Sequence, residues 1–326
     1  MATSGSWNYS RTAAQIIAAA FEDLGVIIPG GTVASADSAL ALVRLNHIAK
    51  QFQGDADGFP GMHIIHRQRV WLFMAKGQQR YTIGPASTDA RATTTPGRTT
   101  VSAAEAQGQT TISITSNTDT TTHPGSTVTM TASDIVGVEL DNGEIDWSTI
   151  SGTPASTMDM AAGLDAAAAA GNYVWWFTSR AQRFVTCEAA VLRDENYNDT
   201  PLQVYHSVEE YELGVADKYA DGQPSAILIE PLATNTRITL DSQPTDVTSQ
   251  IVLTVQYPAE DYDATTDDIA FPQEYFAALE WELAFRLAPA YGSVWTPVME
   301  ANRKNALSIA SRLNPEMSSM YFQSAT

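Results

Sequence analysis

The chain holds little that would support chemistry. Cys187 is the single cysteine among 326 residues, so no disulfide can close within it. Of the five histidines (His47, His63, His66, His123 and His206), only His63 and His66 lie near each other. In an extended segment residues three apart point to opposite faces, so these two cannot share a zinc ion. The sequence has no glycine-rich phosphate loop with its lysine, no dinucleotide fingerprint and no nucleophile elbow. "LDNGEID" lacks the ligand alternation and the closing glutamate of a calcium loop. The pairs Asp267–Asp268 and Glu209–Glu210 would serve glycoside hydrolysis only if the fold set two carboxylates face to face. A solvated acidic face is the plainer reading. No catalytic, cofactor or metal site is expected, and no enzyme; a hydrolase ranks last among the functional readings.

Basic residues are scarce as well, with 18 Lys and Arg against 37 Asp and Glu, a net charge of −19. Residues 188–268 concentrate the imbalance: 17 acids against Arg193, Lys218 and Arg237 give −14 in that window. A protein that grips phosphates shows the opposite sign, so sequence-specific DNA binding and anionic-membrane binding are not expected. The acidity reads either as solubility or as a surface that DNA slides past without sticking. No apolar run reaches the ~18 residues that span a bilayer. The opening "MATSGSWNYSRTAAQIIAAAF" has no basic start and is interrupted at Gln15, so it does not read as a signal peptide. A product that stays in the cytoplasm of the cell that makes it is expected.

With apolar residues at 44% and charged residues at 17%, the composition is that of a folded globular chain. Two helices open it, at about 10–24 with Ser10 as cap and at about 35–52 with Ser35 as cap. Ile17, Phe21 and Leu24 share one face of the first; Leu42, Leu45, Ile48 and Phe52 share one face of the second. "RVWLFMAKGQQRYTIG" reads as a β-hairpin turning at Lys76–Gly77. Fifteen of residues 91–131 are threonine, yet "TTISITS" and "STVTMT" alternate at period two, as half-buried strands do and a disordered stalk does not. "IVGVELDNGEIDWSTI" predicts a hairpin with a type I′ turn at Asp141–Asn142–Gly143. "GNYVWWFTS" predicts a strand whose adjacent Trp175 and Trp176 face opposite ways. Further short strands, broken at "YNDTP", "DGQP" and "DSQP", run to "SQIVLTVQYP".

A helix over about 272–288 follows, entered after Asp267–Asp268, with Pro272 in its first turn and Pro289 as its stop. Tyr275, Leu279, Leu283 and Leu287 make one apolar stripe, and Trp281 and Phe285 make a second. Two stripes place the helix either at the centre of a bundle or against a neighbouring subunit. A last helix over about 297–313 has Thr296 as cap and Pro297 first. It turns Met299, Ala306, Ile309 and Leu313 one way and Arg303, Lys304 and Arg312 toward water or a partner. The expected fold is therefore α+β: N- and C-terminal helices forming one α-helical bundle, with a large, sandwich-like all-β insertion between them. Its segments are a helical hairpin over 1–62, a β-hairpin over 63–83, the β-rich insertion over 84–262, C-terminal helices over 263–314 and an extended arm over 315–326.

Three stretches taken in order carry a family resemblance. They are the early helix ending "AFEDLGVI" with its later "QQRYTIGP"; "VGVELDNGEIDWSTI" followed by "LDAAAAAGNYVWWFTS"; and "IAFPQEYFAALEWELAFRLAPAYG". Together they cover about a third of the chain and resemble the head-to-tail adaptor, or head-completion, proteins of short-tailed bacteriophages. The resemblance implies a structural virion protein of the neck, made in the host cytoplasm. It would form a homo-oligomeric ring of twelve copies beneath the portal protein, continue the DNA channel, retain packaged DNA and carry the tail. DNA passes such a ring without sequence-specific binding. The β insertion departs from the smaller members of the family, and its partner would be a tail nozzle or a tail-fibre protein. Candidate portal contacts are Met317, Met320, Tyr321 and Phe322 in the C-terminal arm, with Arg303 and Lys304. Candidate subunit contacts are Trp281 and Phe285. The arm either folds back on its own helices or inserts between portal subunits. The competing expectation is a β-rich carbohydrate-binding or tail-fibre attachment protein, resting on exposed aromatics such as Trp175–Trp176 and on the threonine-rich strands.

Overall fold

A computed structural model describes residues 9–52, 67–84, 91–122, 127–245 and 247–312. In chain order its elements are α1 (Ala13–Asp23), α2 (Ser35–Phe52), β1 (Arg67–Phe73), β2 (Arg80–Ile83), β3 (Arg91–Thr93), β4 (Gly97–Thr100), β5 (Thr111–Ser113), β6 (Thr118–Asp119), β7 (Val128–Thr129), β8 (Ile135–Glu139), β9 (Ile145–Thr149), β10 (Thr157–Asp159), β11 (Tyr173–Phe177), β12 (Thr186–Arg193), β13 (Asp199–Tyr205), α3 (Val208–Gly214), β14 (Ala226–Pro231), β15 (Thr236–Leu240), β16 (Gln250–Gln256), α4 (Phe276–Tyr291) and α5 (Pro297–Arg312). The chain is mixed α+β and divides into two compact units. Residues 1–66 and 258–326 form a helical unit, and residues 67–257 form a β unit. No helix among the described residues is long and apolar enough to cross a membrane.

In the helical unit α1, α2, α4 and α5 all contribute to one buried apolar cluster. α1 starts two residues later than Ser10 would place it. Thr12 is the cap, its hydroxyl accepting from Gln15 N–H while the Gln15 side chain accepts from Thr12 N–H. This reciprocal pair satisfies two donors that the helix start leaves open, which Ser10 lacks the spacing to do. Just before it, Ala13 N–H donates to the Asp267 carbonyl and Ile269 N–H to that of Arg11, so the approach to α4 lies beside the start of α1. Asp267 caps no helix; its carboxylate accepts from the Asp263 and Ala264 N–H groups.

α4 is preceded by a 3₁₀ turn at Gln273–Tyr275 and buries Leu279, Leu283 and Leu287 completely. Pro289 does not stop it. The helix runs on to Tyr291 and ends at Gly292, whose φ of 64° is the left-handed conformation only glycine takes cheaply. A proline in the last turn costs one hydrogen bond near an end where bonding already runs out. Thr296 caps α5 through the Met299 N–H. The buried face of α5 is Ala306, Leu307 and Ala310, while Ile309 is exposed. Of the expected stripe, Ala306 is buried, Met299 is half-buried, Ile309 is exposed and Leu313 lies outside the described residues; Leu307 and Ala310 complete the buried face instead.

In the β unit eight strands form one sheet in the order β2-β15-β14-β13-β12-β16-β1-β3. Its pairs are antiparallel except β13–β14, which α3 joins as a crossover. β1 and β2 are therefore no hairpin. β1 pairs with β16 and β3, and β2 pairs with β15. Six strand steps of ~4.8 Å would part them by about 29 Å in a flat sheet, and seven residues span at most ~25 Å. The link is shorter still, because the Tyr81 hydroxyl accepts from Ala75 N–H at 2.9 Å and Gly77 makes a tight turn at φ 72°. The sheet consequently curls until its two ends approach each other. The sequence signal for a turn at Lys76–Gly77 was sound; the partner strands were not the local ones.

A second sheet, β4-β11-β8-β9, packs on the first through an aromatic seam. Phe73 of β1 lies 5.3 Å from Trp175 and 5.1 Å from Trp147, ring centre to ring centre. Trp175 faces this seam and Trp176 faces the opposite cluster with Val136 and Val174, so both indoles of β11 are buried. The exposed aromatic platform expected at that pair does not exist. The threonine-rich strands alternate as expected, with Ile112, Ile114 and Met130 buried. The β8–β9 turn is a three-residue loop, not type I′. Leu140 N–H bonds the Glu144 carbonyl, Gly143 N–H bonds Leu140, and Gly143 alone of the three loop residues has positive φ. Asn142 Oδ1 instead accepts from Glu144 N–H and holds the loop open by one residue.

Candidate docking surface

The surface of the helical unit is built around a charged seam between α4 and α5. Glu282, on the face of α4 turned toward α5, is only 3% exposed. Its carboxylate accepts from Arg286 Nε at 3.0 Å, one turn further along α4, and from Arg303 Nη1 of α5 at 2.6 Å. Arg303 also holds Glu300, at 3.1 Å, and lies over the Phe285 ring at 4.4 Å. Trp295 closes the cluster. Its ring meets Phe285 edge-on at 5.2 Å and Trp281 at 6.4 Å, and its N–H donates to Glu300 at 3.0 Å. The Arg303 hydrogen bond, helped by that of Trp295, holds the Glu300 carboxyl down at about 2.

Arg303, expected to face water or a partner, is thus drawn in by two carboxylates of its own chain. Lys304 remains exposed, with Glu300 at 3.4 Å. Trp281 is half-buried, and Phe285 stays 39% exposed at the rim of the cluster. Met317, Met320, Tyr321 and Phe322 lie outside the described residues, as do His63, His66 and His123. Among the described residues no three His, Cys, Asp or Glu side chains stand close enough to hold a metal.

At one end of the helical unit the α1–α2 and α4–α5 connections come together. Phe21 and Tyr291 rings meet edge-on at 5.0 Å, and the Tyr291 hydroxyl donates to Asp37 at 2.6 Å. Burial and that carboxylate push the Tyr291 phenol up to about 12. Ile27, Val33 and Trp295 turn inward against the core there. Their neighbours turn outward: Ile28 is 78% exposed, Val294 80% and Val298 70%, with Val26 beside them. Leu40 and Val43, three residues apart on α2, are exposed as well. Of the large apolar side chains exposed among the described residues, nine belong to the helical unit and five to the larger β unit. Single exposed hydrophobes need no explanation, but Ile28, Val294 and Val298, all in or next to these two connections, are each at least 70% exposed. Sequence periodicity missed this group because its members lie in connections rather than on a helical stripe. Apolar residues beside loop-forming glycines, as in "VIIPGG" and "YGSVW", were the available signal. No protein-family model matches the chain, and no curated protein matches it.

Proposed function

We propose that this protein is a head-to-tail adaptor of a short-tailed phage virion. In this reading α1, α2, α4 and α5 work as one helical bundle that docks beneath the portal protein. The two sheets of the β unit act as a sandwich-like platform toward the tail nozzle or fibre. Twelve copies close a ring through which packaged DNA passes, and the segment 315–326 is an arm reaching the portal. The observation that carries the reading is the apolar end of the helical unit, formed by Ile28, Val294 and Val298. Fully covering such a side chain is worth about 1.5–3 kcal/mol, multiplied by every copy in a ring. The exposed acids Glu209, Glu210, Glu212, Asp217 and Asp221 support a surface that repels duplex DNA. The test is assembly. Mixed with the portal protein of its own phage, the wild type should give rings visible by negative-stain microscopy. The triple variant Ile28→Asp/Val294→Asp/Val298→Asp should keep its circular dichroism spectrum and fail to assemble. Normal assembly of that variant would refute the docking surface. The carbohydrate-binding alternative loses its sequence basis at Trp175 and Trp176, which are buried.

A further inference from the structure

The crossover between β13 and β14 carries the two most exposed large apolar side chains among the described residues of the β unit. Leu213, in α3, is 82% exposed, and Tyr219, in the turn that follows, is 81% exposed. Both stand on anchored backbone. Tyr211 and Val215 bury the inner side of α3, and the Tyr211 hydroxyl donates to the Leu240 carbonyl at 2.8 Å. The turn is tied down by the Gln79 amide, which donates to the Lys218 carbonyl. Gln243 N–H donates to the Ala220 carbonyl, and the Gln243 carbonyl accepts from Gly222 N–H. Lys218 reaches back to the Glu212 carboxylate at 2.9 Å and the Val215 carbonyl at 3.3 Å, which sets the turn beside the end of α3. Backbone held in this way has little left to order when a partner arrives, so contact with Leu213 and Tyr219 costs little entropy.

The charge around these two side chains has one sign. Glu209 and Glu210 lie four and three residues before Leu213, spacings that put both carboxylates beside it on the outer side of α3. Both are exposed, and neither carboxylate has a partner among the described residues. Asp217 and Asp221 lie on either side of Tyr219 in the chain, and both are exposed. Lys218, the one base in residues 208–221, is taken up by Glu212. Arg80 of β2 comes near Tyr211, on the anchored side of α3. Such a surface repels nucleic acid and anionic lipid. It complements a polypeptide that brings apolar side chains and positive charge together.

We propose that this crossover docks a basic amphipathic segment of a partner protein, with apolar side chains against Leu213 and Tyr219 and lysines or arginines over Glu209 and Glu210. The surface belongs to the β unit alone, so the proposal does not depend on the ring assembly described above. Fluorescence anisotropy of a labelled, amphipathic leucine–lysine helical peptide titrated with the full chain tests it. A serine–lysine peptide of equal charge and a leucine–glutamate peptide are the comparators. The leucine–lysine peptide should bind and weaken as salt rises, and both comparators should bind about tenfold or more less tightly. Leu213→Ser/Tyr219→Ser should lose about tenfold or more in affinity, the scale of leaving one large apolar side chain uncovered, with an unchanged circular dichroism spectrum. Glu209→Gln/Glu210→Gln should lose about threefold or more and flatten the salt dependence. Closer binding by the serine–lysine peptide would reduce the surface to bulk acidity. Closer binding by the leucine–glutamate peptide would remove the carboxylates from the recognition. Undiminished binding by either variant would place the site elsewhere. Sedimentation showing that the wild type, but not Leu213→Ser/Tyr219→Ser, pairs with itself would assign the surface to a second copy of this chain. Each of these results, or no binding of the leucine–lysine peptide, overturns the proposal.

Discussion

Replacing Glu282 by alanine removes the carboxylate that Arg286 and Arg303 share between α4 and α5. Removing one member of a buried ion pair costs about 3–5 kcal/mol when the remaining charge is stranded. Here the arginines are not stranded. Arg303 keeps Glu300, Arg286 keeps the Gln51 side chain, and their side chains are 18% and 23% exposed, enough to regain some water. The expected loss is therefore smaller, about 2–3 kcal/mol for Glu282→Ala. Glu282→Gln keeps the shape and one acceptor and should lose about 1–2 kcal/mol. Urea unfolding at neutral pH, followed by far-ultraviolet circular dichroism, reads the helical unit most directly. A double-mutant cycle of Glu282→Ala with Arg303→Met isolates the pair from the rest of the seam. A loss under ~0.5 kcal/mol for Glu282→Ala, or a coupling energy of that size, would refute the claim that the triad holds α5 to α4.

Three further outcomes are expected. Because the Glu300 carboxyl is held at about 2 against an ordinary 4.5, its contribution is whole above pH 4.5 and is lost as pH falls toward 2; Glu300→Gln should flatten that part of the acid unfolding curve, and an unchanged curve would contradict the seam. Tyr197→Gly should destabilise the β unit by about 1–2 kcal/mol although Tyr197 has φ 64°, since the relief of ~1 kcal/mol is outweighed by losing the ring that lies 4.3 Å from the Arg98 guanidinium and by the flexibility glycine adds; thermal unfolding showing a gain in stability would sink that account. Burial pushes the Cys187 thiol up to about 12, so an aromatic disulfide reagent should leave it untouched in native protein and label it as denaturant opens the β unit, whereas immediate native labelling would show the core of β12 to be accessible.

Much of the local structure was legible in the sequence because its causes are local. Period-two alternation located Ile112, Ile114 and Met130, and a four-residue rhythm located Leu279, Leu283 and Leu287. Thr296 before Pro297 marked the start of α5. The errors have equally definite causes. β1 and β2 flank a genuine turn, but β1 pairs with β16 and with β3, and β2 with β15; β15 and β16 lie well over a hundred residues away, and nothing in a short window encodes that choice. Pro289 reads as a stop only if its distance from the helix end is ignored. In α5 Ala306 and Ala310 face the core beside Leu307 while the larger Ile309 does not, which an apolarity pattern ranks the wrong way. The charged seam was within reach. Glu282 and Arg286 are four apart, and Glu300 and Arg303 are three apart, spacings that place each pair on one helix face. What spacing does not reveal is that the faces meet across α4 and α5.

The pairing of β1 with β16 has a consequence for how damage spreads. Arg67 stands opposite Gln256, so the chain leaves the helical unit and returns to it at neighbouring residues. While those strands stay zipped, α2 and α4 are joined as if by a short loop. If the β unit melts, the same helices are joined by a floppy tether of residues 67–257. With residues 53–66 as the link that remains, adding a tether of that length costs about 2 kcal/mol of chain entropy. Lesions buried deep in β12 or β16 would therefore loosen α1, α2, α4 and α5 by that amount without touching any helical residue. Conversely, a clip of a few residues in place of 67–257 would spare the helices this dependence altogether.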